Sequence, residues 1–313
     1  MTGPANIPAK QLRIGGVSLA NRAVLAPMSG ITDAPFRRLA AELGAGLVVS
    51  EMTASDDLVR GRWISRLRCE ASGIGPHVVQ LAGCEAHWMA EGARVAEDSG
   101  ADIIDIGAES TRPYTGAEPV TAEEELARLK PVLPAIVALG VPVSIDSMKS
   151  RVADFALEQG AAIANDVWGL QRDPAMAEVV AAHGAPVVVM HNRVDVDPGI
   201  DIIADMLGFF ARSLDIAAKA GIPAGNIVLD PGIGFGKTAE QSMIALARLA
   251  EFARFGLPLL VGASRKRFIN SVVTSEPQQR LGGTQRGAAI IRAHDVAETV
   301  QAVRVAASIE ALG

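Results

Sequence analysis

Ten short runs rich in Val, Ile and Leu recur along this chain, separated by Ala-, Leu- and Glu-rich stretches with helical apolar spacing. The runs are AVLAPM (23–28), GLVVSEM (46–52), HVVQLAG (77–83), DIIDIG (102–107), PVSID (142–146), AIANDV (162–167), PVVVMH (186–191), NIVLD (226–230), LPLLVGAS (257–264) and AAIIRAHD (288–295). Strands alternating with amphipathic helices predict βα units, a parallel sheet and an α/β fold. The helical stretches between them include 85–98, 122–139, 150–159, 200–220 and 240–254, and 297–312 closes the chain. Polar residues gather at the strand ends, as at a barrel mouth. A TIM-type (β/α)8 barrel closes with eight strands, so ten units leave two surplus or displaced.

Composition narrows the class. The chain has 313 residues, 49% hydrophobic and 20% charged, enough for a large core. A net charge of −6 argues against a general nucleic-acid binder. Cys69 and Cys84 read as free thiols in a reducing compartment. The first residues, MTGPANIPAKQLRIGG, hold no apolar core of a secretory signal, and no long uncharged apolar run predicts a membrane helix. The expectation is a cytoplasmic protein with no membrane partner.

Barrel sites form at the C-terminal ends of the strands. From the fourth run onward those ends carry Glu109, Thr111 and Arg112; Asp146; Asn165 and Asp166; His191; Asp230; Ser264, Arg265 and Lys266; and Arg292 and His294. One Asp closing a strand is most simply a helix cap. Seven consecutive units with a polar tip are not explained by caps. Arg292, His294, Ser264, Thr111 and Arg112 are donors suited to an anion. Asp146, Asn165 and Asp230 are acceptors suited to the N–H edge of a flat heterocycle, and Lys266 is a donor to its ring atoms. The residues therefore point to a nitrogen-rich ring bearing an anionic group. In DPGIGFGKT (230–238), Gly232 stands four residues before Gly236, where a phosphate-binding P-loop needs five. The plainer reading is a Gly-rich turn that lets backbone approach closely, with Phe235 placed to stack on an aromatic ligand. His183 reads as a surface residue, and His77 and His87 lack metal-ligand spacing.

DIIDIGAESTRP, SIDS, NDVWG, VVMH, LDPGIGFGK, LLVGASRK and IIRAHDV, in this order over about 100–312, resemble dihydropteroate synthase. The resemblance implies a transferase of folate biosynthesis that joins a 7,8-dihydropterin-CH2 pyrophosphate to p-aminobenzoate. It implies pterin contacts from Asp146, Asn165, Asp230 and Lys266, and pyrophosphate contacts from Thr111, Arg292 and His294. It implies p-aminobenzoate contacts from Arg112, Phe235 and Ser264, with Mg²⁺ assisting. Barrels of this kind often dimerise through their outer helices, so a homodimer is an open expectation.

The front of the chain departs from that family, because its first N-V-T-P-D-S-F loop is absent. VLAPMSGITDAPFRRLAAELGAGLVVSEM, VVQLAG and HWMAEGARVAEDSGADIIDI instead resemble the N-terminal half of bacterial tRNA-dihydrouridine synthase, a flavin barrel. That resemblance implies FMN contacts from Pro27, Met28 and Gln80, and tRNA as a partner. The Cys that serves that family as general acid is absent after DIIDI. DIIDI is thus the second strand of one family's barrel and the fourth of the other's. The expected division is 1–99, dihydrouridine-synthase-like, and 100–313, pterin-binding. Two alternatives stand beside the transferase: an FMN-dependent tRNA-dihydrouridine synthase, and a catalytically inactive hybrid.

Overall fold

The computed structural model describes residues 13–14, 17–18, 23–25, 34–42, 45–50, 52–71, 73–83, 85–109, 120–257, 259–261 and 290–293. An antiparallel ribbon of β1 (Arg13–Ile14) and β2 (Val17–Ser18) precedes the main sheet. The sheet strands are β3 (Ala23–Leu25), β4 (Leu47–Val49), β5 (Thr53–Ala54), β6 (His77–Ala82), β7 (Ile103–Gly107) and β8 (Val143–Asp146). They continue with β9 (Ile163–Asp166), β10 (Val187–Met190), β11 (Ile227–Asp230), β12 (Leu260–Val261) and β13 (Ile290–Ala293). Neighbours run in the order β11-β10-β9-β8-β7-β6-β4-β3-β13-β12, all parallel. The short β5 pairs further along the same β6 that β4 pairs with. A parallel bridge from Leu229 to Leu259, just before β12, joins the two ends of the path. The sheet therefore curls on itself in the TIM-type manner.

All ten expected runs are strands on this path. The two units beyond eight are taken into the sheet rather than left outside it. Parallel strands have no cheap way to leave an edge unpaired, and insertion of β3 and β4 between β13 and β6 gives each of them a partner on both sides. Barrel width grows roughly in proportion to strand number, so ten strands make a ring about a quarter wider than eight at equal tilt.

Burial follows the pleat. Val143, Ile145, Val187, Val189, Ile227 and Leu229 are buried against the helices. Their alternates Ser144, Asp146, Val188, Val228 and Asp230 face the lumen and are only half-buried, as a widened ring dictates. At the N-terminal end the lumen is plugged by Leu47, Val49, Val78 and Ile103, with Val228 and Leu260 from the far side and Val17 from the ribbon.

The outer helices follow their local chemistry. The helix Ala122–Leu129 starts on a capping box between Thr121 and Glu124. Pro131 lacks an N–H, so the expected 122–139 stretch breaks into this helix and Leu133–Val137. The 240–254 stretch likewise divides into the α-helix Ala239–Ala247 and a 3-10 segment, Leu249–Phe255. The helix Ile202–Ala220 is capped by the Asp201 carboxylate and ends at Gly221 in the left-handed region. Its Phe210 is fully buried among Phe209, Phe252 and Phe255, a burial worth about 2–3 kcal/mol. The 297–312 helix lies outside the described residues. Among the described residues no helix is long and apolar enough to cross a membrane. Cys69 is a free, buried thiol whose pKa burial pushes up to about 11.

Candidate active site at the C-terminal rim

Parallel strands put all their C-terminal tips at one end of the sheet, so Asp146, Asn165, Asp230 and Arg292 share a rim. Asp146 and Asn165 are direct register partners on β8 and β9. Asp230 closes β11, opposite Met190 of β10. All three carboxylate or amide side chains lie on the lumen face, opposite the apolar residues that meet the helices. Arg292 stands on β13 opposite Val24 of β3. Phe235 is half-buried in the turn that follows β11. Thr111, Arg112, Ser264, Lys266, His294, Pro27 and Met28 lie outside the described residues.

Asp146 is the most perturbed group at this rim. Its Oδ1 is buried with no hydrogen-bond partner among the described residues. Burial pushes its pKa up to about 8, and the charges of Asp105, Asp166, Glu125 and Glu109 add to the rise. Such an oxygen calls for a donor that the described residues do not supply. Asp166 plays a different part. It sits on the helix-facing side and accepts from Trp168 N at 2.8 Å and Leu170 N at 2.7 Å. Of the Asn165–Asp166 pair, Asn165 faces the lumen and Asp166 builds the turn.

Asp230 Oδ1 accepts from Gly232 N at 2.7 Å, which begins the Gly-rich turn. Gly232 and Gly236 hold φ of +58° and +56°. A Cβ on Gly232 would stand 1.9 Å from the His191 carbonyl oxygen, and one on Gly236 would stand 2.6 Å from Arg193 Cβ. These glycines let the turn pack against the 191–193 segment. Lys237 Nζ folds back on the carbonyls of Gly232 (2.9 Å) and Phe235 (3.0 Å), unlike a P-loop lysine, which reaches outward to phosphate. Gly232→Ala is expected to cost more than about 3 kcal/mol, because both the contact and the φ are forbidden to a side chain. Urea unfolding measures this, and a loss under about 1 kcal/mol would contradict it.

Several working residues have roles the sequence did not disclose. Lys149 Nζ bonds Glu109 Oε2 at 2.6 Å and also Glu125 Oε1. Glu109 Oε1 accepts from Val120 N at 3.0 Å. These bonds tie both ends of the segment that carries Thr111 and Arg112. A signal was present: Glu125 falls on the buried stripe of its helix with Leu126 and Leu129, where an acid needs a buried partner. His191 is fully buried, and burial lowers its pKa to about 4. His183 is exposed and pairs with Asp154 at 2.9 Å. Gln80, expected to face a flavin, donates from Nε2 to Asp105 Oδ2 at 2.9 Å and so joins the front segment to β7.

The chain matches the pterin binding enzyme family over residues 85–306 and the dihydrouridine synthase (Dus) family over residues 24–108. The two matches overlap on the helix Ala86–Asp98 and on β7. Dihydropteroate synthase of Bacillus subtilis is 45% identical over 217 residues, covering 66% of this chain and 75% of that protein. The Escherichia coli K12 enzyme is 41% identical over 228 residues, covering 68% and 80%. Among solved structures, a Clostridium difficile dihydropteroate synthase with pteroic acid superposes with a TM-score of 0.58 at 41% identity, covering 70% of this chain and 88% of that one. A Xanthomonas albilineans dihydropteroate synthase with 4-aminobenzoic acid gives 0.58 at 40%, covering 72% and 85%. With the pterin-binding match covering most of the chain and the rim acids on one lumen face, this chain belongs to the dihydropteroate synthase family, transferases of folate biosynthesis, with a front segment similar to dihydrouridine synthases.

Proposed function

We propose that the rim holds a dihydropterin through Asp146, Asn165 and Asp230, with Lys266. Arg112, Phe235 and Ser264 take p-aminobenzoate, and Thr111, Arg292 and His294 face the pyrophosphate, spread too widely over the inserted strands to clamp it together. The amine nitrogen of p-aminobenzoate attacks the pterin methylene carbon. The C–O bond to pyrophosphate breaks, and the amine gives up a proton. The observation that carries this reading is Asp146 Oδ1, buried at the lumen face beside Asn165 with no partner among the described residues. A ring N–H edge is the donor that it lacks, and two parallel N–H···O bonds fix the ring's orientation.

Among the described residues no group of three or more His, Cys, Asp or Glu side chains is placed to hold a metal ion. Mg²⁺ would come with the substrate's phosphates, its common habit. We read 1–99 and 100–313 as two segments of one sheet, joined at the turn before β7.

The test is thermal stabilisation by the pterin pyrophosphate. Ligand at about 100 times its Kd adds about 2.7 kcal/mol. A clear rise in melting temperature is expected for the parent chain and none for Asp230→Ala. Flavin absorbance in the purified protein, with no pterin shift, would favour the dihydrouridine synthase reading instead.

A further inference from the structure

Behind the Gly-rich turn lies a buried polar chain that the proposed chemistry does not use. The Lys237 ammonium, 6% exposed, meets the carbonyls of Gly232 and Phe235 and His191 Nδ1, the last at 2.7 Å. Three close acceptors, with the His191 carbonyl as a longer fourth at 3.4 Å, surround its three protons. An ammonium only donates, so Nδ1 is the acceptor and the ring hydrogen resides on Nε2. Nε2 then donates to Asp205 Oδ2 at 3.1 Å, and Asp205 Oδ1 accepts from Arg193 Nη1 at 2.9 Å. Donors and acceptors alternate from the turn, through a fully buried imidazole, to the half-exposed Asp205 and Arg193. The imidazole ring is itself fixed edge-on to Phe209, with centroids 4.8 Å apart.

We infer that Lys237 is a positioning residue for the arylamine half of the site, held in place by His191 and Asp205. It grips the carbonyl of Phe235, the residue proposed to face p-aminobenzoate, and the carbonyl of Gly232, whose N–H orients Asp230. The inference rests on that reading of Phe235. It assigns Lys237 no contact with either substrate: its ammonium sets the turn, and the turn sets the ring.

Full-length Lys237→Met and Asp205→Asn test it in two ways. Hydrogen–deuterium exchange of the peptide spanning 231–238 is expected to quicken about tenfold or more in both variants, with the strands unchanged. In turnover, Lys237→Met is expected to raise the p-aminobenzoate KM about tenfold or more, with kcat and the pterin Kd moving less than about threefold. Asp205→Asn, a substitution at a half-exposed site, should shift KM in the same direction by a smaller factor and keeps the test decisive where Lys237→Met does not fold. Unchanged exchange at 231–238, exchange rising uniformly along the chain, or kcat falling with KM constant would each overturn the inference. A parent chain that binds pterin but never p-aminobenzoate would sink the reading of Phe235 instead, while the exchange result still decides whether Lys237 holds the turn.

Discussion

Pterin binding to this chain is expected to tighten about tenfold per pH unit from about pH 6 to about pH 8 and to level off above that. The group responsible is Asp146, whose pKa burial and neighbouring acids raise to about 8. Below that value the unliganded side chain is mainly the neutral acid, with one donor and one acceptor. A pterin edge offers two N–H donors and needs the carboxylate. Binding therefore releases a proton, and the cost of releasing it grows as the pH falls. Folding stability responds in the opposite direction. A carboxyl with a raised folded pKa binds more protons folded than unfolded, so its contribution to stability declines as pH rises from about 4 towards 8. Titration calorimetry at several pH values, in buffers of different ionisation enthalpy, reads both the affinity and the proton. Asp146→Asn should abolish the slope and bind about a hundredfold more weakly at pH 8. A flat affinity across this range in the parent chain would remove Asp146 from the pterin site.

The pyrophosphate is expected to contribute much less to binding than the ring does. β8, β9, β10, β11 and β12 follow one another around the sheet without interruption, so the residues proposed to hold the pterin stand on one unbroken run of strands. The inserted strands fall elsewhere. β7, which leads to Thr111 and Arg112, is separated from β13, which carries Arg292, by β6, β4 and β3. Four strand spacings of about 4.8 Å place those strand tips about 19 Å apart along the sheet, too far for donors at the tips to clamp one diphosphate. The pterin pyrophosphate should therefore bind within about threefold of the hydroxymethyl pterin, whereas two charge-assisted hydrogen bonds would make it about a hundredfold tighter or more. Turnover should be correspondingly slow, since stabilising the leaving group is the protein's main electrostatic task. A pyrophosphate ester that binds a hundredfold tighter would show that donors gather over the inserted strands after all.

The sequence alone was enough for the alternation of strand and helix, the ten runs, the tips that carry polar residues and the two families to which the halves are similar. Those features are written in local patterns: β-branched runs of period two, Gly and Pro punctuation, and motifs read in chain order. The shared rim of Asp146, Asn165 and Asp230 was legible because parallel strands bring their ends together whatever the strand count. Only the tertiary structure decided where the surplus strands went. Strand pairing is a non-local choice, and hydrogen bonding along both edges of β3 and β4 drew them into the ring. It also decided that Asp166 builds a turn, that Gln80 bonds Asp105, and that Lys237 reaches His191 across 46 positions of chain. Such pairings have no sequence periodicity, because their partners meet only when distant strands are laid side by side.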